Sequence, residues 1–285
     1  MATTNATAPK GAPKKSQGFT GIKSGFSVIL VCFIIAEALY VFGAGHMSNF
    51  HAEGVTGFHF FQSQEYEPAG IVGTVYKGGF IVPLIWTQFI AVIALAIERA
   101  FAIRTANGKG SLGKFAASVK SALKQGDVQK ATDLCNIQQG SVANVVLAAL
   151  TEYKKQQGED LELEKKVLAI QKTVEEATAL EMPMMQENLP IIGTIVTLGT
   201  LTGLLGTVMG MIKSFSAMAG GEGGANSAAL SVGIAEALVN TASGIATGAA
   251  AVIAYNFFTN KIDRLTFAID ELGFTIVETF KTTQK

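Results

Sequence analysis

The sequence predicts an all-α membrane protein with four transmembrane helices and a helical cytoplasmic domain. Three observations carry this. Of 285 residues, 49% are hydrophobic and 15% charged, whereas a soluble domain holds about 25% charged residues. Four apolar stretches, Phe26–Gly45, Phe80–Ile103, Leu189–Ile212 and Leu230–Phe258, reach the ~20 helical residues that cross a hydrocarbon core. Basic residues also fall on alternate connections, which gives the spans a common orientation. The formal net charge is zero, which argues against nucleic-acid binding, because neutralising phosphates needs a basic surface.

Residues 1–25 are rich in Ala, Thr, Lys and Pro and are expected to be a disordered cytoplasmic arm. Residues 26–77 hold the first span and an external loop. Lys10, Lys14, Lys15 and Lys23 precede that span as in a signal peptide, but its apolar part is longer than a signal core and contains Glu37, so an uncleaved span is expected. Residues 78–103 form the second span. Trp86 reads as a packing residue there, and Glu98–Arg99 at its cytoplasmic end as an interfacial ion pair or lipid anchor.

Residues 104–188 read as a helical domain. Leu112, Phe115, Val119 and Leu123 share one helix face, as do Val142, Val146, Ala149 and Tyr153. Leu163, Val167, Ile170, Val174 and Ala177 predict a long amphipathic helix. Pro183 and Pro190 bracket a bend before the third span. Residues 189–260 contain the last two spans. The fourth is about 30 residues long, more than a ~30 Å core accommodates at ~1.5 Å per residue, so it should continue as a cytoplasmic helix. Residues 261–285 form a cytoplasmic tail with Lys261, Arg264, Lys281 and Lys285. The external loop His46–Lys77 is acidic on balance, and AGGEGGANS between the last spans has no basic residue. Both termini are therefore placed in the cytoplasm.

The functional signal lies in the last two spans. Glu236 is the one charge in an otherwise apolar and small-residue run from Ala225 to Asn260. A carboxylate at the bilayer centre costs roughly 2.5–3.5 kcal/mol, so such a group normally faces protein or water and is used. Glu236, Asn240, Ser243 and Thr247 form a polar stripe on the fourth span. Gly233, Ala237, Thr241, Gly244 and Gly248 form a small-residue stripe beside it. In the third span Gly193, Thr197, Thr200, Gly203, Thr207, Gly210 and Ser214 make a matching stripe of small or hydroxylated residues. Glycines at this spacing let membrane helices pack closely. Packing alone does not require a carboxylate, whereas a path for a proton or cation does. The plain alternative is that Glu236 accepts a fixed hydrogen bond and never changes its protonation.

Other constellations carry less. Cys32 and Cys135 form neither a disulfide framework nor metal spacing. His46, His51 and His59 with Glu53 match no compact zinc signature. Ser243 lies in a span without a histidine in any of the four, so an intramembrane hydrolase lacks its base. AGGEGGANS has no following lysine and cannot be a phosphate loop. No enzyme, metal or cofactor is expected. Glu37 is expected to face a neighbouring helix or the headgroups.

GLLGTVMGMIKSF (Gly203–Phe215), GIAEALVNTASGI (Gly233–Ile245) and AVIAYNFF (Ala251–Phe258) closely resemble the MotA/TolQ/ExbB proton-channel family, and its ExbB branch most. GGFIVPLIW…IER (Gly78–Arg99) and GDVQKATDLC (Gly126–Cys135) agree, so the resemblance covers roughly residues 78–262. Phe26–Gly45 and the following loop resemble an added N-terminal hairpin. Thr200 and Ala250 stand where many ExbB and TolQ chains have proline.

The resemblance implies an ExbB-like subunit of the bacterial inner membrane, forming a homopentamer whose last two spans line a central lumen. Two copies of an ExbD-like single-span partner would occupy that lumen, supplying an aspartate, and a TonB-like protein would receive the energy for outer-membrane import. Glu236, Thr207 and Thr241 would lie along the lumen; the stripes read above add Thr200, Asn240, Ser243 and Thr247 as candidates for the proton pathway. Gly203, Gly210, Gly233, Gly244 and Gly248 would serve helix packing, and Gly203 and Gly244 a smooth bearing surface for the partner helices. A TolQ-like or a gliding or secretion motor is the alternative within the class. A passive membrane scaffold is the alternative outside it, distinguished by hydroxyls buried in pairs rather than facing the axis.

Overall fold

Residues 25–38 read GFSVILVCFIIAEA, apolar on nearly every side, and such a helix belongs in lipid or a core rather than at a water-exposed surface. In the computed structural model, which describes residues 25–51, 66–219 and 225–284, that segment is α1 (Gly25–Ala38), continued by a π-helical turn over Leu39–Ala44. The remaining helices are α2 (Ile71–Lys77), α3 (Ile81–Asn107), α4 (Leu112–Lys124), α5 (Val128–Gln138), α6 (Gly140–Gln157), α7 (Leu163–Gln186), α8 (Leu189–Ala219) and α9 (Ala225–Thr283). Among the described residues the only extended pairing is an isolated bridge between Phe50 and Pro68. The N-terminal arm, His59 and Glu53, and the centre of the Gly-rich link lie outside the described residues.

Four helical windows are long and apolar enough to cross a membrane: Ser27–Ala44, and others within Ile81–Lys124, Leu189–Ser216 and Leu230–Thr283. The fourth span does continue, since α9 runs for 59 residues. Helices α8 and α9 pass unbroken through Thr200 and Ala250, because neither position has the missing N–H that would interrupt them.

The chain divides into two compact units. One comprises Ile22–Arg99 and Asn188–Phe258, and so contains the span segments of α1, α3, α8 and α9. Tyr40, Ala44, Phe50, Tyr76 and Val82 form a buried cluster in it, with Trp86 and Val239 packed alongside. Leu201, Leu204, Leu205, Leu238, Ile245 and Ile253 remain exposed. Apolar surface on this scale suits lipid or neighbouring subunits rather than water.

The other unit contains Ala100–Glu187 and Thr259–Lys285. Its helices form because the stripes read above turn inward. Phe115, Val119, Leu123, Val142, Val146, Ala149, Tyr153, Val167 and Ile170 are all buried. Tyr153 meets Phe280 of α9 edge to face, with centroids 4.9 Å apart. Asp127 caps α5 by accepting from the Lys130 amide at 2.8 Å. Pro183 lies inside α7 without ending it. The break falls between the prolines, at Glu187 and Asn188, where Asn188 takes φ 61°, a left-handed conformation that Asn tolerates better than most residues.

Candidate functional site

Helices α8 and α9 are drawn together by their small residues. A Cβ on Gly203 would lie 2.9 Å from the Asn240 carbonyl oxygen and 3.0 Å from the Gly244 Cα, and one on Gly244 would lie 2.7 Å from the Gly199 oxygen. Gly210 lies against Gly233 and Ala237 further along, so residue numbers rise on one helix as they fall on the other and the pair is antiparallel. Backbone meets backbone here, with no flexible side chain to give way. Gly203 and Gly244 thus sit inside the subunit. Each is packed against the backbone of the facing helix of the same subunit.

This register sets Glu236 opposite Lys213. The Lys213 Nζ lies 2.7 Å from Glu236 Oε1, and the two side chains differ sharply in exposure, 55% for the lysine against 7% for the glutamate. The protein closes the other side. Gly79, between α2 and α3, has φ +74°, and any Cβ there would stand 2.5 Å from Glu236 Oε1. Only glycine fits, both for its left-handed backbone and for the space the carboxylate takes. One turn beyond Glu236, the Asn240 side-chain amide donates to the Gly78 carbonyl at 3.0 Å. A buried carboxylate with a half-exposed cation over it and a glycine corner beneath it is therefore the central feature of this unit.

The other residues singled out from the sequence divide into groups. Asn240 and Thr247 are 0% and 1% exposed and belong to the seam. Asn240 abuts Gly206, and Thr247 packs on Gly199. Neither side chain reaches the surface of the single subunit. Thr207 and Thr241 are partly buried and their hydroxyls touch each other. Each also lies within hydrogen-bond reach of the carbonyl four residues back, so one hydroxyl can donate there while the other donates across the pair. Ser243 is partly exposed and Thr200 exposed. Gly233 and Gly248 are as tightly packed as the central glycines, with Gly248 facing Thr200 and the Val196 carbonyl.

Glu98–Arg99 departs from its interfacial reading. Arg99 is 0% and Glu98 4% exposed, Arg99 Nε donates to Glu98 at 2.6 Å, and the Asn188 amide donates to the same carboxylate at 3.5 Å. Both cysteines are free and buried. Burial pushes the Cys135 thiol up to about 12. No group of three metal-ligating side chains occurs among the described residues, and His46 accepts from the Ser48 amide at the start of a single 3-10 turn, Met47–Asn49.

Sequence reasoning missed Lys213 and the Gly78–Gly79 corner. Lys213 had a signal: it is the sole basic residue between Leu189 and Asn260, and an antiparallel hairpin sets it opposite Glu236. The corner had none, since Gly78 and Asn240 are 162 residues apart.

A model of the MotA/TolQ/ExbB proton channel family matches residues 139–271. The putative biopolymer transport protein ExbB-like 3 of Synechocystis sp. is 38% identical over 86 residues, 30% of this chain and 41% of that protein. TolQ of the Tol-Pal system from Pseudomonas aeruginosa is 37% identical over 89 residues, 31% of this chain and 38% of its own length. TolQ from Haemophilus influenzae is 32% identical over 85 residues, 30% and 37% respectively. The chain thus spans about two fifths of the length of the curated relatives it matches.

Proposed function

Because the chain belongs to the MotA/TolQ/ExbB proton channel family, we propose that it is a multi-pass channel subunit in which Glu236 takes up and releases a proton. The observation that carries this is the asymmetry of the ion pair, with the carboxylate buried and its cation half exposed at the surface of the subunit. In the resting state the Lys213 ammonium balances the Glu236 carboxylate. A proton arriving on Glu236 neutralises it and leaves the ammonium without its counter-charge, free to turn toward an anionic group on a partner. Release of the proton restores the pair. A charge moved through 100 mV gains about 2.3 kcal/mol, close to the roughly 2.5–3.5 kcal/mol that burying a carboxylate costs, so an ordinary membrane potential can drive the cycle.

The fuller reading is an ExbB-like subunit of the inner membrane with both termini cytoplasmic, assembled as a homopentamer around two ExbD-like helices and working on a TonB-like protein for outer-membrane import. The exposed apolar faces of α8 and α9 support burial against further subunits or lipid. Thr207, Thr241, Ser243 and Thr200 are the hydroxyls best placed to extend the path from Glu236. The TolQ relatives support a Tol-type motor equally well.

A scaffold is the second reading. It is favoured by the direct pairing of the Thr207 and Thr241 hydroxyls and by an ion pair that would merely add to the glycine seam between α8 and α9. Proton uptake into liposomes carrying the full chain with its co-purified single-span partner separates the two. Glu236→Gln is expected to abolish the flux while the complex still assembles, and undiminished flux in that variant contradicts the channel reading.

A further inference from the structure

The Glu236 site is closed by a corner of backbone, and something must hold that corner. Gly79 can approach the carboxylate only while the turn between α2 and α3 keeps its shape. Asn240 and Tyr40 hydrogen-bond to that turn from elsewhere in the fold. Asn240 on α9 donates to the Gly78 carbonyl. Tyr40 belongs to the π turn that ends the first span. Its hydroxyl donates to the Tyr76 carbonyl at 2.7 Å and lies 3.0 Å from the Gly79 carbonyl, so one O–H spans both ends of the corner as a bifurcated donor.

We propose that Tyr40 is a positioning residue for Glu236, and that the first helix thereby forms part of the site. The geometry around the ring supports a fixed placement. Tyr40 stacks on Tyr76 with centroids 4.8 Å apart and planes 24° apart, and Trp86 meets its edge at 6.4 Å. The π turn sets the direction of the side chain: the Gly45 amide donates to the Tyr40 carbonyl at 2.9 Å, an i→i+5 bond. Such wide turns are rare and occur mostly as single turns in α-helices, frequently at functional sites. The hydroxyl is buried with its acceptor, where a hydrogen bond is costly to lose. The role in proton movement rests on the channel reading above; the positioning of Glu236 does not.

Tyr40→Phe tests the proposal in the full chain reconstituted in nanodiscs, because it keeps the ring and removes the donor. Two signals are read, neither of which depends on proton flux. One is the carboxylate stretch of Glu236 in the infrared, isolated by subtracting the Glu236→Gln spectrum. The other is amide exchange at Gly78 and Gly79, whose N–H groups donate to Val75 and Tyr76 within the corner. Tyr40→Phe is expected to move the Glu236 band toward that of a hydrated carboxylate and to speed exchange at the corner about tenfold. Trp86→Phe, which trims the same cluster without touching the corner, should leave the band in place. An unmoved band with unchanged exchange in Tyr40→Phe overturns the proposal. So does an equal shift in both variants, since packing rather than the hydroxyl would then be responsible. A Glu236→Gln chain without flux but with an unresponsive Tyr40 would sink this inference and leave the channel reading standing; the reverse pattern would do the opposite.

Discussion

Two buried glutamates in one unit make opposite arrangements with their cations. Glu98 and Arg99 are both closed off, at 4% and 0% exposure, and the Asn188 amide adds to the carboxylate. Glu236 is equally buried, yet its lysine is 55% exposed and reaches it from a neighbouring helix. A pair sealed on both sides cannot change without leaving a bare charge in low dielectric, which costs several kcal/mol. A pair sealed on one side can, because the cation lies at the subunit surface and can turn away from the carboxylate. The chemistry of the cations agrees. The rigid guanidinium fork of arginine suits a permanent bridge, whereas the single ammonium of lysine swings on a flexible stem. On the proposed function the first pair is the structural one and the second the one that switches.

The sharpest way to break this contrast is Arg99→Met, which strands Glu98. It should cost about 3–5 kcal/mol and show as loss of folded chain in detergent melts. Gly244→Leu comes next. Its side chain would strike the Gly199 and Gly203 backbone, and an overpacked seam that cannot relax should lose about 3 kcal/mol, read as a lowered melting temperature and weaker assembly. Lys213→Met should lower stability by only about 1 kcal/mol, because on the proposed function the Glu236 it strands can take up a proton and so leave no bare charge. Proton flux should nonetheless fall steeply, with partial rescue by Lys213→Arg. If Lys213→Met unfolded the chain as Arg99→Met does, the two pairs would be of one kind.

Lys120→Ala marks the floor of the series. Its pair with Glu271 is 3.6 Å long and about half exposed on both sides, so its removal should change stability by less than about 0.5 kcal/mol. Cys135 has no counter-charge to lose. Burial raises its thiol from 9.0 to about 12, so folding favours the neutral form. That contribution is complete below pH 9 and disappears as pH climbs toward about 12. At pH 8 alkylation of the folded chain should run at least about a hundredfold slower than in the unfolded chain.

The contrast also marks what the sequence could and could not reveal. Hydropathy and spacing located the four spans, the helical stripes of α4, α6 and α7, and the overrun of α9, because these features repeat along one helix. The break near Asn188 followed from Pro183 and Pro190. Burial of Glu98–Arg99 was not legible, since adjacent charges at a span end look the same whether a neighbouring helix covers them or not. Asn240 and Thr247 shared a stripe with Glu236, but periodicity reports a face without saying whether that face meets water or another helix. Lys213 was hidden by its position one residue past the apolar run. The Gly78–Gly79 corner and Tyr40 depend on long-range contacts that no local pattern encodes.

The central claim is that Glu236 changes its protonation while Glu98 does not. Infrared titration of the liposome-reconstituted chain, with the two carboxylates isolated by subtracting Glu236→Gln and Glu98→Gln spectra, reads both in one preparation. The expected result is a carboxylate band of Glu236 that gives way to a protonated carboxyl band as pH falls, beside a Glu98 band that holds its place. A Glu236 band fixed in one form at every pH and under an imposed proton gradient would contradict it.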